Sequence, residues 1–274
     1  WETVNMVKTP LASTDFSSLS RVAPAEYAER QVRALRCDAC HERDGLVSWW
    51  EEFADSVESL KVPKASEQKA AEDDPFSDDP FNTGNAAEGG GPPVDQSRPK
   101  LTLIGEKLRP DWMTKMIAGT LDYKSRPWMD ARMPGFASRA ELLAKGLAMS
   151  HGFAPVAEPR PTPDPARIAI GRKLVAQQGG FNCLGCHGIA DAKPTNVFEA
   201  QGVNFMYTAE RLNHEYFHRW MRKPLRIAPQ TRMPQFANDE GRTPLVEYYN
   251  GDAREQFEAI WHYLLPGRKL EPPK

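Results

Sequence analysis

The sequence predicts an all-α fold built from two tandem copies of one small helical domain. Three observations predict it. No stretch of useful length alternates apolar and polar residues as a half-buried strand would. One order of elements occurs twice: an amphipathic helix, a CxxCH motif, a connecting region, a second helix, a Met-Pro loop and a last helix. Between the two occurrences, FAPVAEPRPTPDP at 153–165 carries too much proline to sustain a helix or a central strand, and it reads as a linker.

This places an N-terminal extension at 1–20, a first domain at 21–152, the linker at 153–165 and a second domain at 166–274. A chain of 274 residues accommodates two ordinary domains. The first domain opens with a helix over Ala25 to Arg36, which delivers CDACH at 37–41. Its counterpart runs from Pro165 to Gln178, with Asp164 as N-cap, and leads to CLGCH at 183–187. The stretch Glu106-Lys107-Leu108 through Trp112 and Met116 matches Glu210-Arg211-Leu212 through Tyr216 and Trp220 in spacing and type. Each stretch leads to a second shared signature, ARMPGF at 131–136 and TRMPQF at 231–236. The last helix, Ala253 to Leu265, lines up Phe257, Ile260, Trp261 and Leu264 on one core face.

The first domain carries an extra acidic, Pro- and Gly-rich segment at 61–98, a flexible loop by composition. Phe76 and Phe81 are its candidate anchors to the domain surface, which makes the segment a candidate cover or docking element. Its run Asp73, Asp74, Asp78 and Asp79 lacks an EF-hand pattern and reads as solvated, not as a calcium site. With 35 basic and 37 acidic residues the net charge is -2, so no strong field draws nucleic acid. No apolar run approaches the roughly 20 residues that span a bilayer. The chain opens on Trp1 with no visible secretory signal, and residues 1–21 read as the tail of something preceding, so one alternative is a module accompanied by further domains of a larger parent chain.

All four cysteines fall in the two CxxCH motifs. A zinc site or a redox CxxC pair leaves the histidine after each motif unexplained. Covalent haem explains it: Cys37 and Cys40 take one porphyrin edge with His41 beneath the iron, and Cys183, Cys186 and His187 do the same for a second. Two covalently bound haem c groups are therefore expected. The sixth ligands are Met133 and Met233, each placed before proline in a loop that holds the thioether clear of a helix. Met129, Met206 and Met221 lack the R-M-P-x-F context. His151, His214, His218 and His262 are the alternatives for bis-histidine ligation, and His214 and His218 share a helix face that also suits a metal. Arg132 and Arg232 either reach a haem propionate or face solvent. Trp112, Trp128 and Trp220 serve as haem walls or as core.

With these residues in place, the chain from Ala25 to Pro266, the acidic insertion apart, resembles class I cytochrome c domains in tandem. The resemblance implies electron transfer without a bound substrate, docking of redox partner proteins near exposed haem edges, and a periplasmic or otherwise extracytoplasmic location. It also implies that a small residue of the first helix packs on an aromatic of the last; Gly171 and Tyr263 match. Ala28 aligns with Gly171, but 141–152 offers it no aromatic. A proline carbonyl should hold the proximal histidine. Pro99 fits this role for His41, and Val203 aligns with it in the second domain. The competing class is an enzyme, a dihaem peroxidase with one open haem site, against which Met133 in its shared loop argues.

Overall fold

The computed structural model describes residues 23–49, 52–53, 56, 98–195, 201–229 and 231–273. The expected N-terminal extension at 1–20, and within the 61–98 insertion the loop anchors and the acidic run, lie outside these residues. Among the described residues the fold is all-α, with isolated bridges but no strands, and no helix is long and apolar enough to cross a membrane.

In the first half, helix α1 (Pro24–Ala34) opens on a proline at its first turn and buries Ala28 and Val32, one helical turn apart. A short helix α2 (Ile104–Lys107) follows the connecting region, then α3 (Pro110–Ala118), which is closed by Gly119 at φ 73°. Helix α4 (Ala140–Met149) completes this half and turns Leu143, Ala144, Leu147 and Ala148 inward. The second half repeats the order with α5 (Pro165–Val175), α6 (Thr208–Arg211), α7 (His214–Arg222), the one-turn α8 (Pro224–Ile227) and α9 (Ala253–Leu264). The Asp164 carboxylate accepts from the amides of Ala166 and Arg167, capping α5 as expected, and Asp252 caps α9 through Glu255. Both leading helices stop two to three residues short of the expected ends.

Each half has its own hydrophobic cluster. The crossing of first and last helices is the centre of each, and both crossings depend on a glycine. A Cβ on Gly171 would lie 2.1 Å from the Ala259 carbonyl oxygen and 2.8 Å from the Tyr263 Cβ; one on Gly146 would lie 1.9 Å from the Pro24 carbonyl oxygen and 2.5 Å from the Ala28 Cβ. The contact in the first half thus needs no aromatic: Ala28 meets a glycine of the last helix. On α9 the expected face of Phe257, Ile260, Trp261 and Leu264 is at most 2% exposed. Gln256 is fully buried there, with its amide donating to the carbonyls of Leu245 and Tyr248 and its carbonyl accepting from Thr243 Oγ1. That closed set of bonds fixes the 243–248 loop to α9.

The halves meet through the stretch in which their sequences agree best. Leu108 bridges Leu212, its own counterpart. The Arg109 amide donates to the Arg211 carbonyl at 3.0 Å, and the Asn213 amide to the Lys107 carbonyl at 3.1 Å. These two bonds interchange under the repeat, so the seam has local twofold character.

Candidate functional site

Each CxxCH motif is preceded by a residue in left-handed backbone, Arg36 at φ 54° and Asn182 at φ 56°, that starts a 3-10 turn; Arg36 follows the end of α1 closely, whereas Ala176 caps α5 and residues 177–181 lead on to Asn182. The turns are superimposable in their bonds. The amide of His41 donates to the Cys37 carbonyl, and that of His187 to the Cys183 carbonyl, both at 2.9 Å. All four cysteines are free thiols; Cys40 and Cys186 are exposed, Cys37 is half-buried and Cys183 is buried. Burial raises the Cys37 thiol and pushes that of Cys183 up to about 12, so both are held as neutral thiols.

The histidines are oriented by backbone. His41 Nδ1 lies 2.7 Å from the Pro99 carbonyl oxygen and His187 Nδ1 2.8 Å from that of Val203. A carbonyl only accepts, so Nδ1 carries the proton and Nε2 keeps its lone pair. Burial lowers both histidines, outweighing the carbonyl bonds that raise them, and Arg98 lowers His41 further. They are neutral imidazoles with one nitrogen free to ligate. The carbonyl acceptor expected from Pro99 is present, and Val203 supplies the same acceptor, because the backbone and not the ring makes the bond. In the second half Phe205 also stacks on the His187 ring at 4.5 Å. Gly202 lies so close that a Cβ there would sit 2.3 to 2.7 Å from the imidazole atoms.

The two Met-Pro loops pack against their own halves. Met133 and Met233 are each half-buried against the local cluster. The Trp220 indole Nε1 donates to Met233 Sδ at 2.8 Å, whereas Met116 holds the matching position in the first half. Arg132 and Arg232 are exposed. Of the competing methionines, Met129 and Met221 are core and Met206 packs beside the second cluster. The four other histidines have partners of their own: His151 with Asp44, His214 and His218 with Glu258, and His262 with the Asp164 amide. Two thiols and one imidazole lone pair on each short turn can fix a cofactor at two points and ligate its metal at a third.

Reading the sequence did not identify the seam as a site. Arg211 sits over the Trp112 ring at 5.5 Å, and Lys107 over the Tyr216 ring at 5.7 Å, a pair of contacts that the repeat interchanges. Burial, then the Arg211 and Arg126 guanidiniums, push the Lys107 ammonium down to about 7; burial, then Arg126, bring Arg211 to about 10. Neither cation has a carboxylate partner among the described residues, and Arg211 Nε has no hydrogen-bond partner. The signal was the repeat match itself, which aligns Lys107 with Arg211 and Trp112 with Tyr216. No family model, curated protein or solved structure matches this chain.

Proposed function

We propose that the chain is a dihaem electron carrier made of two tandem class I cytochrome c domains, acting outside the cytoplasmic membrane between redox partner proteins or as a module of a larger enzyme. The observation that carries the reading is the repeated turn: paired free thiols beside a neutral imidazole whose proton is tied to a backbone carbonyl. That donor set fits covalent haem c, with Cys37, Cys40 and His41 holding one group and Cys183, Cys186 and His187 the other. Haem c supplies a one-electron ferric/ferrous couple when bound.

The protein's part is ligand choice, burial and charge. Met133 and Met233 are the candidate sixth ligands, and a thioether there favours the ferrous state and raises the potential. The seam cations, Arg211 buried and Lys107 half-buried, are a second point of fit. Lys107 and Arg211 stand together at a cost, because burial and like charge both disfavour them. Haem carries two carboxylates, and anionic groups facing the seam would offset that cost, with Arg211 and Lys107 holding them.

The test is the intact mass of chain matured in a host that attaches haem c. Two haem increments are expected, one of them lost in Cys183→Ala/Cys186→Ala, and bare polypeptide would end the reading. Met133→Ala and Met233→Ala should each turn one haem high-spin and lower its potential. Rapid carbon monoxide binding at one ferrous haem of the unmutated protein would favour the peroxidase type instead.

A further inference from the structure

Apart from the two CxxCH turns, the described residues bring together His214 and His218 on α7 with Glu258 on α9. His214 Nε2 and His218 Nε2 lie 3.2 Å apart, and each is 2.7 Å from the same carboxylate oxygen, Glu258 Oε2. Hydrogen bonding accounts poorly for this triangle. Seen from Oε2, the two nitrogens diverge by only about 70°, whereas the lone pairs of a carboxylate oxygen diverge by about 120°. Two N–H groups aimed at one oxygen would crowd each other. Lone pairs converging on a shared cation would not.

The geometry points to a divalent-metal site of the zinc type at His214, His218 and Glu258. Donors 2.7 to 3.2 Å apart approach the spacing of neighbouring ligands around a tetrahedral ion bonded at about 2.0–2.1 Å. Two imidazoles and one carboxylate select zinc or copper over calcium or magnesium, which take oxygen ligands. The side chains are 30%, 16% and 21% exposed, so an ion can enter and solvent can complete its coordination.

His262 supports the ligand geometry from behind. Its Nδ1 accepts the Asp164 amide at 3.0 Å, which leaves the proton on Nε2, 3.3 Å from Glu258 Oε1. That contact ties up the outer oxygen and presents Oε2 to the two histidines. The positions matching His214 and His218 in the first half are Pro110 and Thr114, so the site belongs to the second half alone. Its ion would join α7, which also carries Trp220, to α9.

The experiment is calorimetric titration of ZnCl2 into the full haem-loaded chain after chelator treatment, with haem content read by absorbance in the same samples. One zinc per chain at low micromolar affinity is expected. His218→Gln and Glu258→Gln should each weaken it at least tenfold, while His151→Gln leaves it unchanged. His214→Gln, at the half-buried start of α7, is the second variant in case either of the others disturbs folding; far-UV circular dichroism tracks that. Zinc should also raise the unfolding midpoint of the unmutated chain and not that of His214→Gln. Failure to bind one zinc, or undiminished binding in both folded histidine variants, overturns the site whatever the haem content proves to be.

Discussion

The two halves reach the same helix crossing by opposite placements of glycine. In the second half Gly171, on the first helix, lets the Ala259 backbone approach; in the first half Gly146, on the last helix, lets the Pro24 backbone approach. What the crossing requires is one missing Cβ where two backbones touch, and either helix can supply it. A search for a fixed pair, a small residue early and an aromatic late, finds the Gly171 and Tyr263 contact and misses the other.

The same contrast holds at the histidines. His41 is bonded to a carbonyl 58 residues further on, His187 to one only 16 further on. The local bonds around them still correspond: Leu101 donates to the Glu42 carbonyl as Phe205 does to that of Gly188. Returning the chain to the same carbonyl is therefore what the site demands, and the length between is tolerated because loop-closure entropy grows slowly with length.

The sharpest way to break the comparison is at the crossings. Gly146→Ala and Gly171→Ala should each cost about 3 kcal/mol, the upper part of the range for overpacking, because the obstacle is backbone and cannot swing aside. In denaturant unfolding, each substitution should move the transition of its own half; an unchanged midpoint would mean that the helices cross further apart. Next is Gly202→Ala, which should displace the His187 ring at a cost of about 1–3 kcal/mol and disturb ligation in the second half only. Arg98→Ala, the matching change, should leave His41 in place. Absorbance spectra of the two variants check the pair.

A smaller effect is expected at the methionine loops. Trp220→Phe removes the indole donor from Met233 Sδ, worth about 1 kcal/mol, and should lower one potential by about 40 mV in a redox titration while the other stays fixed. The smallest lies on the rim of the seam, where Arg268 holds Asp122 in two bonds of 2.7 and 2.5 Å. The Arg268 hydrogen bond depresses the Asp122 carboxyl below its ordinary 3.8. Its contribution is complete above that value and is lost as pH falls through the depressed one. Both groups are exposed, so Asp122→Asn should cost little, and less still in high salt; acid unfolding curves at two ionic strengths measure it.

Much of the molecule was legible because its signals are local. Helical spacing gave the core face of α9, Asp164 announced the start of α5, and CxxCH with its trailing histidine marked both turns. The helices end two to three residues before the expected positions, since the turn of the backbone out of the helix at Leu35 or Ala176 leaves no mark in composition. Val203 looked unlike proline, but the group that matters is a carbonyl, which every residue has.

Periodicity and motif spacing, which depend only on neighbours along the chain, were enough to determine the helical class, the duplication and the two thiol-imidazole turns. The tertiary structure alone decided which glycine opens each crossing, that the best-matched stretch is the seam, and that His214, His218 and Glu258 converge on one point. Those facts depend on groups distant in sequence, and no local pattern encodes the distance at which they meet.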